Sequence, residues 1–80
     1  MSDDHDPVNK PRHYMVAGIE VRDIQADRCR DLVGMDAVNY ANLLKYILRC
    51  WLKMTPVQDL RKGRFFLDAL IDDLEARGFK

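Results

Sequence analysis

The sequence predicts an all-α domain: an N-terminal extended segment, then about three helices, the last two forming an antiparallel hairpin. Three observations carry this. Apolar residues recur at helical spacing from residue 37 onward, and no alternating pattern of the kind a strand needs persists anywhere. Thr55-Pro56 is a strong helix start, with Thr55 fit for an N-cap and Pro56 for the first helical position. Only a short connection separates this start from the preceding helical run, which favours antiparallel neighbours.

In chain order, residues 1–7 read as a flexible arm and residues 8–80 as one small helical domain. Pro7 and Pro11 fix two backbone angles and remove two donors, so the stretch to Tyr14 is extended or turn-like. Residues 14–19 leave room for a short strand, and Gly18 marks the joint before a first helix over about 20–30. Glu20 and Asp23 lie in its first turn, where carboxylates complement the helix dipole. A turn around Gly34 follows, and Asp36 is a good N-cap for a main helix over about 37–53. The last helix runs from about Pro56 to Ala76 and stops at Gly78. Gly63 lies inside it, which signals close helix packing, because glycine there otherwise costs up to about 1 kcal/mol relative to alanine.

At about 100° per residue the main helix divides into two arcs. Ala37, Ala41, Leu44, Leu48, Trp51 and Leu52 form an apolar arc expected to be buried, and Trp51 and Phe65 read as core aromatics. Asn42, Lys45, Tyr46, Arg49 and Lys53 form the opposite arc. Lys45 and Arg49 are neighbours on the helix and repel unless a negative group answers them. Asp59 of the next helix is an internal answer and a phosphate is an external one, for which the planar arginine fork is well shaped. Asp59, Lys62 and Phe66 follow one edge of the last helix, which faces the Lys45/Arg49 stripe if the hairpin closes. Tyr14 and Tyr46, each beside polar or cationic residues, are the candidates for stacking on a base, and His13 for binding phosphate or relaying a proton.

Composition narrows the function. The chain has 80 residues and no net charge, and no apolar run reaches the roughly 18 residues that a membrane span needs. The acidic, polar start does not resemble a secretion signal, so a cytoplasmic protein is expected. Charge is uneven: residues 1–36 carry −3 and residues 37–80 carry +3, and residues 42–64 hold six cations and one acid. A local basic cluster in a neutral chain suits a small anion better than duplex DNA, although a solvated helix face explains the same charges. Cys29 and Cys50 are expected to be free thiols. The glycines at 18, 34, 63 and 78 form no phosphate loop, and no metal-ligand spacing is present, so magnesium would arrive with ATP or another nucleotide. A domain this small has a marginal core, which makes a homo-oligomer the expected assembly.

Four ordered segments carry a resemblance: Val8 to Tyr14 with Asn9, Pro11 and His13; Gly18 to Ile24 with Glu20 and Asp23; Asn42 to Arg49 with Lys45 and Tyr46; and Asp59-Leu60-Arg61-Lys62. Together they resemble a small phage-encoded family of domains of unknown function. The nucleotide kinase of a T-odd coliphage, which acts on deoxynucleoside monophosphates, carries a domain of this kind. Where that family has alanine and an aromatic-tyrosine pair, this chain has Gly63 and Phe65-Phe66. The resemblance implies a nucleotide ligand in the host cytoplasm. By matched position the candidates are Asn9, His13, Tyr14, Glu20, Asp23, Asn42, Lys45, Tyr46, Arg49, Asp59 and Lys62; of these His13, Asp23, Lys45 and Arg49 are expected in catalysis, and Asn9, Tyr14, Asn42, Tyr46, Asp59 and Lys62 in binding. Three functional readings stay open: a nucleoside monophosphate kinase, a non-catalytic module that binds or sequesters a nucleotide, and a helical adaptor that docks on a host protein or nucleic acid.

Overall fold

The computed structural model describes residues 15–80; the expected arm and the candidates Asn9, His13 and Tyr14 lie outside the described residues. The element order is β1 (Met15–Val16), β2 (Ile19–Glu20), α1 (Val21–Arg28), α2 (Gly34–Arg49) and α3 (Pro56–Ala76). The expectation of an N-terminal segment feeding three helices therefore holds, with one addition. The strand left open at 14–19 is half of a minimal antiparallel hairpin, pairing Met15 with Glu20 and Val16 with Ile19. Its two-residue turn places both Ala17 (φ 53°) and Gly18 (φ 77°) in the left-handed region, the requirement of a turn whose twist matches that of its strands.

α1 begins one residue after Glu20, which occupies the N-cap position and pairs with Arg22 rather than lying in the first turn. It stops at Arg28, two residues before the expected end, as the Cys29 amide closes the last turn on the Gln25 carbonyl at 2.9 Å. Two contacts hold it to α2: Gln25 Nε2 donates to the Ala41 carbonyl (2.7 Å), and Cys29 Sγ donates to the Ala37 carbonyl (3.8 Å).

α2 is shifted toward the N-terminus relative to the expected 37–53. It opens at Gly34, whose φ of 60° suits only glycine comfortably, after Val33 in extended backbone. Asp36 is consequently not a cap. It lies in the first turn, and its carboxylate accepts a hydrogen bond from Arg77 Nη2 across the hairpin at 2.6 Å. α2 ends at Arg49, so residues 50–55 form the connection. Trp51, expected on the buried arc, is 81% exposed there, and Leu52 is exposed beside it.

α3 starts and stops as its sequence signals. Thr55 is at the N-cap position, although its side chain makes no capping bond, and Pro56 opens the helix. At the far end Gly78 (φ 88°) takes the left-handed conformation while its amide bonds the Glu75 carbonyl and the Phe79 amide bonds the Leu74 carbonyl, both at 3.0 Å. This six-to-one and five-to-two pairing is the Schellman motif that satisfies terminal carbonyls.

α2 and α3 form the antiparallel hairpin. Asp59, near the start of α3, meets Arg49 at the end of α2, and Arg77, just past the end of α3, meets Asp36 at the start of α2. Gly63 is buried at the midpoint. A Cβ there would lie 3.4 Å from Tyr46 Cβ and 3.7 Å from Leu43 Cδ1, so the helices meet at a notch that glycine leaves open. Among the described residues, only Val21 and Cys50 are fully buried apolar side chains. Both cysteines are free thiols. No described helix is long and apolar enough to cross a membrane.

Candidate functional site

The hairpin buries the end of the polar arc of α2. Arg49 is 6% exposed, and Asp59 on the facing helix is wholly buried. Asp59 Oδ2 lies 3.8 Å from Arg49 Nε, and its Oδ1 lies 3.8 Å from Lys53 Nζ. Neither carboxylate oxygen has a hydrogen bond among the described residues. The carboxylate thus holds two cations by charge, in a setting where water screens little. Lys53 reaches it from the connection, having left the helix that its spacing suggested.

Tyr46 organises the rest. Its ring stacks on Phe66, with centroids 5.9 Å apart and planes 13° from parallel. Lys45 Nζ stands 4.7 Å from the Tyr46 centroid, Arg49 Cζ 5.1 Å and Lys62 Nζ 5.8 Å. One ring therefore gathers three cations from two helices, each drawn by the negative π face. Lys45 and Lys62 have no ion pair among the described residues. Lys62 is exposed and Lys45 half-exposed, so both ammonium groups are open to an incoming anion.

The residues expected from sequence divide accordingly. Lys45, Tyr46, Arg49, Asp59 and Lys62 come together, and Lys53 joins them. Asn42 lies one turn before Tyr46, and its amide donates to the Val38 carbonyl of its own helix at 2.9 Å. Asp23 is exposed in the first turn of α1, with no interaction joining it to the cluster among the described residues. Tyr46, expected as a stacking platform for a base, is stacked on Phe66 inside the protein. Phe65, expected in the core, is 68% exposed and meets Phe66 edge-on. An open groove alongside is lined by Thr55, Gln58, Arg61, Lys62 and Phe65. Arg61 and Gln58 are polar groups that the sequence reading did not count as site candidates; Gln58 lies one turn before Lys62 and next to Asp59, and Arg61 lies next to Lys62.

Among the described residues, the site sets Lys45, Arg49, Lys53 and Lys62 around one buried carboxylate. It offers no second acid beside Asp59 to hold a metal ion: among the described residues no three His, Cys, Asp or Glu side chains lie close enough to do so.

Residues 8–68 match a family described as a protein of unknown function, DUF3310, and the chain belongs to that family. No curated protein and no solved structure is detectably similar to it.

Proposed function

We propose that this protein binds a nucleotide by its phosphates, with Lys45 and Lys62 contacting the phosphate oxygens and Arg49 adding positive potential from behind. The observation that carries the reading is the gathering of Lys45, Arg49 and Lys62 around Tyr46, with Lys45 and Lys62 making no ion pair among the described residues. The three cations already stand around one ring, which limits the ordering cost of binding. Asp59 acts as a positioning residue, because a wholly buried side chain touches no ligand. The exposed groove beside Lys62, with Phe65 on its wall, offers an apolar surface for the base.

The finer form of this reading is a phage nucleoside monophosphate kinase. It would move the γ-phosphoryl of magnesium-bound ATP onto a deoxynucleoside monophosphate, and the lysines would neutralise the transferring charge. A sequestering module needs the same cations and no turnover. The burial of Asp59 favours the second form, since it leaves no carboxylate of the cluster open to take a proton.

Calorimetric titration with ATP and each deoxynucleoside monophosphate at fixed salt tests the proposal. Binding by the wild type that falls about tenfold or more in a Lys45→Ala/Lys62→Ala variant is expected, in line with the loss of two charge-assisted contacts. Equal binding by both proteins, or none by the wild type across the panel, overturns it. Appearance of ADP and a nucleoside diphosphate in the same mixtures separates the kinase from the sequestering module.

A further inference from the structure

A second surface of α3 is organised as well as the one against α2. Asp59, Gly63, Phe66 and Leu70 point toward α2. On the neighbouring flank, Val57, Leu60, Arg64, Leu67, Ile71 and Leu74 follow one another at spacings of three, four, three, four and three. This is the a/d rhythm of a helix seam that pairs with another helix. Among the described residues most of the seam has no partner: Val57 is 60% exposed, and Leu60, Leu67 and Ile71 are each exposed by at least 40%, while Leu74 at its far end is half-buried and also lines a groove with Leu70, Tyr40 and Asp36. A shallow groove lined by Val57, Leu60, Arg61 and Arg64 marks its first half.

We propose that this seam joins α3 to α3 of a second copy of the chain, antiparallel, about a two-fold axis passing between Phe65 and Phe66. Charge selects both the occupant and the direction. Arg64 is the one charged residue on the seam. A parallel pair would set Arg64 against itself. An antiparallel pair puts Val57 against Leu74, Leu60 against Ile71 and Arg64 against Leu67 of the second copy, and then repeats all three layers by symmetry. The stem of Arg64 covers Leu67 while its guanidinium reaches outward, toward Asp68 of the second copy. Arg61 and Asp68 occupy the flanking e positions, and antiparallel pairing brings each toward the other across the axis. The same surface thus meets itself with apolar against apolar and cation against acid, as a two-fold interface requires. α3 has 21 residues, a seam of about 30 Å at the usual helical rise. Lys62 lies on the opposite side of α3 from the seam, so the dimer leaves the anion cluster open.

Sedimentation equilibrium of the full chain tests this. The expected mass is twice the 9.4 kDa of one chain. Ile71→Glu and Leu67→Glu should return it to the single-chain mass with the helical circular dichroism unchanged. Asp68→Arg should weaken association about tenfold or more by setting cation against cation, and adding Arg61→Asp to it should restore the dimer. These two surface positions keep the test valid if the seam variants unfold. A wild type of single-chain mass at all concentrations overturns the proposal, and so does a dimer indifferent to Ile71→Glu or to the charge reversal.

Discussion

The two ends of the α2/α3 hairpin are each closed by charge, and they differ in every respect that matters. At the open end, Arg77 Nη2 bonds Asp36 at 2.6 Å and Asp73 at 2.9 Å, with all three side chains partly in water. Two acids answer one cation at hydrogen-bonding distance, and the Asp36 bond raises the already high pKa of Arg77. At the closed end, one wholly buried acid faces Arg49 and Lys53 at 3.8 Å, with Lys45 and Lys62 close by. The first cluster is complete in itself and serves as a latch. The second, among the described residues, sets more cations than acids around a centre too dry for solvent to screen them well. Ion pairs of the first kind contribute little to stability, whereas removing one member of a buried pair is costly.

The comparison is broken most severely at Asp59. Asp59→Ala leaves a buried guanidinium without that carboxylate and should cost about 3 kcal/mol, read as a lowered urea midpoint. The notch between the two ends comes next. Gly63→Leu pushes α3 off Tyr46 and Leu43 and should cost about 1–3 kcal/mol. Gly63→Ala, gaining helix propensity against a 3.4 Å contact, should stay within about 1 kcal/mol of wild type. Lys45→Ala with Lys62→Ala removes two cation–π contacts to Tyr46 but leaves no described carboxylate unpaired, so urea stability should fall by about 1–2 kcal/mol at most while the proposed nucleotide binding weakens about tenfold or more. The smallest effect is expected for Arg77→Ala: a marginal fall in midpoint that vanishes in high salt, because solvent screens the open end.

The hairpin and its chain ends were legible because each has a local chemical cause. Thr55-Pro56 starts α3, Gly78 stops it, and Gly63 announces a close approach that the structure realises against Tyr46. The pairing of Asp59 with the Lys45/Arg49 stripe was readable as a geometric option once the hairpin was assumed. The end of α2 was not readable. Residues 50–53 are compatible with a helix, and α2 stops at Arg49 because the chain must reverse before Pro56, whose ring also disfavours helical backbone at Thr55. That shift of four residues exposes Trp51, which periodicity assigned to the core. Phe65 was misplaced for a different reason: it was assigned to the core because aromatic side chains usually are, whereas helical spacing puts it on the face away from Asp59, Gly63 and Phe66. Ala17 gave no warning of a left-handed backbone, a conformation asparagine or glycine usually signals.

The asymmetric fastening of the three helices has a dynamic consequence. α3 grips α2 at its start, middle and end, so those two elements open together or not at all. α1, tethered by the Gln25 and Cys29 side chains, has fewer anchors and belongs to a separate, weaker cooperative unit. In deuterated solvent its amides should exchange well before those of residues 39–46, with the short β-hairpin following α1 rather than the long helices.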